Sequence, residues 1–155
     1  MTKTSIHNLS QVFLFRGLAF GIVGLGSLAL FSDYDDSVRI ALFLLSLVVM
    51  VSLWMIVQPG YMAFETAQGH LLISTDKEDK NDFYLKFSIN ELAGYEIEKS
   101  YAGLRKVLYL YRKTPKGFLR SKPIPMSLYS PAQTRKMCEQ LDQIVSQNGF
   151  GHLKL

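Results

Sequence analysis

The stretch VRIALFLLSLVVMVSLWMIV, residues 38–57, decides the fold of this chain. It carries one charge, Arg39, at its edge, and is otherwise apolar apart from two serines. Roughly 20 apolar residues, each rising about 1.5 Å along a helix, cross about 30 Å of hydrocarbon. The stretch therefore predicts a helix that spans a bilayer.

A second apolar run precedes it, VFLFRGLAFGIVGLGSLALF at residues 12–31. Its one charge, Arg16, lies one turn from the start, where a long side chain can reach the lipid headgroups. The alternative is a cleaved signal peptide with a cut near Ala29. The next apolar run follows within a handful of residues, which favours a retained hairpin. Residues 1–58 are therefore predicted to form a membrane anchor with two transmembrane helices, 12–31 and 38–57.

Glycines crowd the first run at positions that share one face of a helix, namely Gly17, Gly21 and Gly24. In a bilayer, missing side chains let another helix approach closely. This face is predicted to pack either against helix 38–57 of the same chain or against a second membrane protein. Glycine is also more frequent in membrane helices generally.

The connection SDYDDS, residues 32–37, is too short for a domain and predicts a tight acidic tip. Lys3, Arg16 and the lysine-rich chain beyond residue 58 place basic residues at the opposite ends of the two helices. By the positive-inside tendency, the tip is expected outside and both termini are expected in the cytoplasm. The expected location is the inner (cytoplasmic) membrane, with the lipid bilayer as the first partner.

Gln58-Pro59-Gly60 ends the second helix. Residues 61–149 are predicted to form a soluble domain, followed by a tail, 150–155. Short apolar or alternating segments bounded by turn residues predict antiparallel strands. The predicted elements are strands 61–66, 70–75, 83–89, 92–101 and 104–113, a polar turn at 76–82, and a proline-broken segment, 118–129, that is either an edge strand or an irregular return.

The last predicted element is an amphipathic helix, 131–148. Ser130 can cap it, Pro131 suits its first position, and Gln133 completes a capping box. An apolar stripe recurs at the helical period and consists of Met137, Cys138, Leu141, Ile144 and Val145. The helix is predicted to cover an open end of a curved sheet.

This order of elements resembles the pleckstrin-homology-like (PH-like) fold, in which strands bent into a half-open barrel are capped by a C-terminal helix. With two membrane helices in front, the layout is similar to bacterial membrane proteins that carry a PH-like domain and to the photosystem I assembly protein family. The resemblance lies in the hairpin 12–57, the strand series 61–129 and the helix 131–148. It implies an α+β membrane protein: a transmembrane helical hairpin followed by a small antiparallel β half-barrel and a capping helix. It also implies a binding or assembly module rather than an enzyme.

The soluble part is electrically lopsided. Residues 65–98 hold eight acids against three bases, whereas residues 99–122 hold eight bases and no acid. Such a basic patch could face anionic headgroups, dock an acidic protein, or pair with the neighbouring acidic strands. No aromatic-rich RNA-binding motif is present, so a nucleic-acid partner is not expected. The basic patch consists of Lys99, Arg105, Lys106, Arg112, Lys113, Lys116, Arg120 and Lys122.

No residue pattern predicts catalysis or metal binding. His7, His70 and His152 share neither a helix nor a metal-ligand spacing. The single cysteine, Cys138, falls on the apolar stripe and excludes an internal disulfide framework. We therefore predict no catalytic residue, no metal site and no cofactor.

Three functions remain open at this point. The first is an accessory or assembly subunit of a larger membrane complex, which presents the PH-like domain in the cytoplasm. The second is a sensor of anionic lipid, in which residues 99–122 lean on the bilayer. The third is a small membrane effector whose hairpin oligomerises.

Overall fold

The structure is a computed structural model that describes residues 4–74 and 83–149. Two long apolar helices come first, followed by antiparallel sheets and a C-terminal helix. This is the predicted α+β arrangement. Several features named above lie outside the described residues. They are the predicted turn at 76–82, the tail at 150–155, and the residues Lys3 and His152.

The elements have the following bounds. The helices are α1 (Leu9–Ala29), α2 (Asp36–Val57) and α3 (Pro131–Gln147). The strands are β1 (Thr4–His7), β2 (Ala63–Ala67), β3 (His70–Ser74), β4 (Phe83–Ser88), β5 (Leu92–Ser100), β6 (Arg105–Thr114), β7 (Gly117–Arg120) and β8 (Ile124–Pro125).

The helices α1 and α2 form a hairpin, as predicted. α1 begins three residues earlier than the apolar run, at Leu9, because a polar first turn is tolerated where the backbone N–H groups have no intrahelical partner anyway. α2 ends at Val57 as predicted. Gln58 then adopts a left-handed conformation, with φ 49°, and its N–H donates to the carbonyl of Trp54 at 2.9 Å. This is a common way to end a helix.

A strand that the sequence did not predict precedes α1. β1 pairs antiparallel with β2, and Ile6 lies opposite Phe64. Ile6 is buried in the core of the domain. The helical hairpin is therefore inserted between two neighbouring strands of one sheet, and the boundary expected at residue 58 separates strands that pair.

The strands form two antiparallel sheets, one in the order β1-β2-β3-β4 and one in the order β5-β6-β7. β2 and β3 are joined by Gln68 and Gly69, both with positive φ, which suits a two-residue hairpin turn. The proline-broken segment yields only two short strands, β7 and β8, which both pair with β6. Proline removes a ladder donor, so a long strand could not form there.

α3 closes the core, and its predicted capping box is confirmed. Ser130 Oγ accepts from the N–H of Gln133 at 3.2 Å, and Gln133 Oε1 accepts from the N–H of Ser130 at 2.9 Å. The helix turns its apolar stripe onto the sheets. Four members of the stripe are buried and Cys138 is half-buried. The buried four are Met137, Leu141, Ile144 and Val145.

Candidate functional site

Both ends of the helical hairpin meet the domain at one buried polar residue. Asn8, only 2% exposed, immediately precedes α1. Its Nδ2 donates to the carbonyl of Gly60 at 3.0 Å, and its Oδ1 accepts from the N–H of Met62 at 2.9 Å. Its own N–H donates to the carbonyl of Met62 at 3.3 Å. These bonds tie the entry into α1 to the exit from α2.

Two residues near the start of α3 reinforce this connection. The hydroxyl of Tyr129 donates to the carbonyl of Met62 at 2.9 Å, and Gln133 Nε2 donates to the carbonyl of His7 at 2.7 Å. Burial raises the pKa of Tyr129, which extends above its usual range the pH interval in which the phenol can donate. We call this set the junction, and it consists of His7, Asn8, Gly60, Met62, Tyr129 and Gln133.

The junction lies at one end of the domain, and the C-terminal end of α3 lies at the other. α3 begins at the junction, and at its C-terminal end Asn148 Nδ2 donates to the carbonyls of Ile89 and Leu92 at 2.7 and 2.8 Å. A helix of 17 residues is about 25 Å long. We call the two ends the junction end and the far end.

The predicted basic patch is divided between these two ends. β6 has ten residues and spans about 30 Å. Arg112, near its last residue, lies at the far end opposite Leu92. Lys106, near its first residue, donates its backbone N–H to Ser127 Oγ at 3.3 Å, two residues before Tyr129. The eight cations therefore do not form one surface.

The two arginines at the far end form ion pairs with acids in β5 and in the short helical turn that precedes β5. Arg112 Nε lies 3.5 Å from a carboxylate oxygen of Glu91. Arg120 lies 3.6 Å from Glu96 and makes a closer ion pair with Glu98. For these two arginines, pairing with the acidic strand is the alternative that the structure supports.

The surroundings of Arg120 form a closed set of polar contacts. Its guanidinium lies 3.5 Å from the ring centroid of Tyr109, and the Tyr111 hydroxyl donates to Glu96 at 2.7 Å. The hydrogen bond to Glu98 raises the pKa of Arg120, and the bond to Glu96 raises the pKa of Tyr111. Because these groups engage one another, little of their charge is left for a ligand.

The remaining three cations are less uniform. Lys113 also makes an interaction within the protein. Lys116 in the turn between β6 and β7, and Lys122 before β8, are exposed. Exposure alone gives neither of them a specific role.

The cations at the junction end differ from the arginines at the far end. No ion pair links Lys99, Arg105 or Lys106 to any residue in the described part of the chain. Between them lies a turn in which Tyr101 and Leu104 are 59% and 52% exposed. We call this set the turn surface, and it consists of Lys99, Tyr101, Leu104, Arg105 and Lys106.

Two further features set the turn surface apart. Tyr101 and Ala102 have left-handed φ values of 51° and 54°, which non-glycine residues rarely adopt. Beside the turn lies a shallow cavity of about 470 Å³. The cavity is lined by Glu98, Lys99, Ser100, Arg105, Val107 and Tyr109. Positive φ also serves the turn that joins β5 to β6, as it does at Gln68 and Gly69, so the exposed Tyr101 and Leu104 are what make this turn a candidate contact surface.

The glycine face predicted on α1 does not meet α2. A Cβ at Gly17, Gly21 or Gly24 would find no heavy atom within 4 Å beyond the local helix backbone. The close approach instead occurs at Gly26, where a Cβ would overlap with Ser46 of α2. Packing of the three glycines within the chain is therefore wrong, because α2 lies against a different side of α1. A second protein on this face remains a prediction.

The described residues offer little reactive chemistry. They contain no group of three His, Cys, Asp or Glu side chains that could hold a metal ion. Burial raises the pKa of the Cys138 thiol, which disfavours the reactive thiolate. Tyr95, whose hydroxyl donates to Asp142 at 2.8 Å, has its pKa raised chiefly by burial. The predictions that the chain has no catalytic residue, metal or cofactor stay predictions.

Two sets of candidate residues are not predicted by the sequence. Asn8 is a lone polar residue in a polar segment, and nothing nearby in sequence signals that it is buried. Tyr101 and Leu104 did give a signal, since they are apolar residues flanked by Lys99 and Arg105 in a glycine-containing turn. That signal is weak because the eight cations of residues 99–122 follow one another in the sequence with no acid between them.

No protein-family model and no curated protein matches this sequence. The function is therefore inferred from the geometry above.

Proposed function

We propose that the chain is an integral protein of the inner membrane that presents its sheet-and-helix domain in the cytoplasm as a non-enzymatic binding or assembly module. The observation that carries this proposal is the apolar surface that α1 and α2 leave uncovered. Phe20 and Met55 are 75% and 70% exposed. Val57 alone is buried among the residues of α2, all of which are described. Water disfavours such a surface, and hydrocarbon does not.

The lengths of the two helices support insertion. With 21 and 22 residues, α1 and α2 are about 32 Å and 33 Å long, which matches the roughly 30 Å of a bilayer core. Both are long and apolar enough to cross a membrane. Arg16, one turn inside the apolar run, can extend toward the headgroups.

The pairing of β1 with β2 supports a retained hairpin over a cleaved signal peptide. A cut near Ala29 would remove β1 and with it Ile6, a member of the hydrophobic core. The pairing also requires the N-terminal segment and the domain to lie on the same side of the membrane. The acidic tip, with Asp33 and Asp35, then lies on the opposite side, and the positive-inside tendency favours the cytoplasm for the domain.

The element order supports assigning the domain to the PH-like half-barrel class. Two four-stranded antiparallel sheets, the second of which includes the short strand β8 beside β6, are followed by one helix that packs along β5. The role as an accessory or assembly subunit of a larger membrane complex follows from this proposed class and from the proposed membrane insertion.

Membrane insertion and orientation are tested together by labelling. In a Cys138→Ser background, Asp35→Cys reports the tip and Ser146→Cys reports the exposed side of α3. We expect a membrane-impermeant maleimide to label Asp35→Cys in intact cells and Ser146→Cys only after permeabilisation. The protein should stay in the membrane pellet at alkaline pH. Recovery of the chain in a detergent-free soluble extract would refute the proposal.

The assembly role is tested by purification in mild detergent. We expect a companion membrane protein in fixed stoichiometry, and we expect Gly21→Ile to reduce its recovery because a bulky side chain would block the open glycine face. Leu18→Ile, at an exposed position of α1 about 100° around the helix from Gly17, is the matched control. If wild-type protein elutes as a monomer without a companion, the assembly role is wrong. If Gly21→Ile recovers the companion normally, the glycine face is not the contact.

A further inference from the structure

We propose that the turn surface rests on the headgroup layer of the same bilayer that α1 and α2 cross, with its cations on anionic phospholipid headgroups. Tyr101 and Leu104 would then lie at the boundary with the hydrocarbon. This proposal rests on the proposed membrane insertion and adds a specific second contact between the domain and the lipid.

The turn surface lies at the junction end of the domain, where α1 begins and α2 ends. The backbone of Lys106 makes two hydrogen bonds to the segment that leads to the junction. Its N–H donates to Ser127 Oγ at 3.3 Å, and its carbonyl accepts from the N–H of Met126 at 2.8 Å. Tyr129, a few residues on, is bonded to Met62 at the exit from α2. The turn is thus held at the level where the chain enters the bilayer.

The side chains of the turn surface combine exposed apolar groups with cations. Tyr101 and Leu104 are among the few large apolar side chains that the described part of the domain exposes. Tyrosine is enriched at the depth of lipid headgroups, because its ring is apolar and its hydroxyl is polar. Lysine and arginine beside such residues attract anionic lipids. A turn with both features is suited to an interface between water and lipid.

Two cations of the turn surface lie close to each other. Lys99 lies directly opposite Lys106 in the β5–β6 register, and like charges in that arrangement repel. The nearest acid along β5, Glu98, is already paired with Arg120. Neither lysine has an ion-pair partner in the described part of the chain, so an anion from elsewhere would relieve this repulsion. A headgroup of the tethering bilayer is favoured over a separate acidic protein, because the tether gives the bilayer a very high effective concentration.

The contact can be measured in full-length protein reconstituted into vesicles. Single-cysteine variants in a Cys138→Ser background carry an environment-sensitive fluorophore, and the vesicles contain a nitroxide-labelled phospholipid that quenches it near the headgroups. Tyr101→Cys and Leu104→Cys report the turn surface. Leu119→Cys, 56% exposed at the far end of the domain, is the matched control. Leu28→Cys in α1 reports insertion itself.

We expect quenching at positions 101 and 104 to exceed quenching at 119 by at least about twofold in phosphatidylcholine vesicles that contain phosphatidylglycerol. Equal quenching at 101, 104 and 119, with strong quenching at 28, would overturn the turn contact and leave membrane insertion intact. Such a result would assign the turn surface to a protein partner instead. Absence of quenching at 28 would refute both proposals.

The role of anionic lipid is tested separately by charge and lipid composition. The triple variant Lys99→Gln, Arg105→Gln and Lys106→Gln should lose the excess quenching at the labelled Tyr101→Cys position, and so should wild-type charges in pure phosphatidylcholine. Lys116→Gln, in the turn at the far end, should leave the excess unchanged. If the excess persists in the triple variant or in pure phosphatidylcholine, the contact is apolar only, and recognition of anionic headgroups is wrong.

Discussion

Replacing Asn8 by alanine should loosen the connection between the helical hairpin and the domain. The variant leaves the N–H of Met62 without its acceptor, and Met62 is only 4% exposed. A buried donor without a partner costs about 1–3 kcal/mol. The carbonyl of Gly60 also loses its donor, but Gly60 is exposed and water can replace it at a cost of about 1 kcal/mol. The free energy that holds the junction closed should therefore fall by about 2–4 kcal/mol.

Hydrogen exchange followed by mass spectrometry measures this quantity in full-length protein in lipid nanodiscs. Amide exchange that depends on local opening accelerates tenfold for each 1.4 kcal/mol lost. We therefore expect peptides that cover β1 and residues 58–66 to exchange at least about 30-fold faster in Asn8→Ala. Peptides from β5 and β6, which do not contact Asn8, should change far less.

The control is Asn90→Ala, which removes an exposed asparagine from the short helical turn between β4 and β5. Surface substitutions of this kind usually change stability by less than about 0.5 kcal/mol. If the amides of β1 and residues 58–66 exchange at the same rate in Asn8→Ala as in Asn90→Ala, the junction does not couple the hairpin to the domain. That result would refute the expected weakening.

Three further variants test other parts of the fold. Gly26→Ala should push α1 away from Ser46 and lengthen the distance between spin labels on the two helices, whereas Gly21→Ala should leave it unchanged. Ala102→Gly should raise the unfolding midpoint in urea by relieving a left-handed φ of 54°, a gain of about 1 kcal/mol; a lower midpoint would contradict the strain. Tyr129, whose pKa is raised above 10.0 in the fold, stabilises the fold fully below pH 10 and loses that contribution as pH rises further. Tyr129→Phe should therefore be less stable at pH 7 and lose less stability between pH 10 and higher pH than wild type.

Local patterns in the sequence predicted most elements of the fold. The alternation in β6 places Leu108 and Leu110 on one face of the strand, and both are buried. The end of α2 and the capping box of α3 followed from residues with fixed conformational preferences. These features were predictable because each depends on residues that are close together in the chain.

β1 could not be predicted in the same way. It has four residues, and its partner β2 begins 56 residues after β1 ends, at Ala63. A strand of this length gains its stability from pairing and from the burial of Ile6, both of which depend on distant residues. The burial of Asn8 escaped the sequence for the same reason, since its partners lie 52 and 54 positions away.

The basic patch illustrates a different limit. Sequence proximity grouped Lys106 with Arg112, yet a strand carries its two ends about 30 Å apart. Whether a cation is free or paired depends on the register of β5 against β6, which places Glu96 and Glu98 near Arg120 and leaves Lys99 opposite Lys106. The number of acids and bases in a stretch of sequence does not reveal which residues of β5 and β6 lie opposite each other.

The insertion of α1 and α2 between β1 and β2 has a geometric basis. Neighbouring antiparallel strands lie about 5 Å apart, whereas packed helices lie about 8–10 Å apart. The connections on the two sides are unequal: Asn8 alone leads from β1 into α1, and residues 58–62 lead from α2 into β2. The longer connection spans the difference in spacing, and the Asn8 side chain bonds to two of its residues, Gly60 and Met62. A helical hairpin can thus replace a β-turn without breaking the sheet, and the sheet in turn fixes which end of the domain faces the entry of both helices.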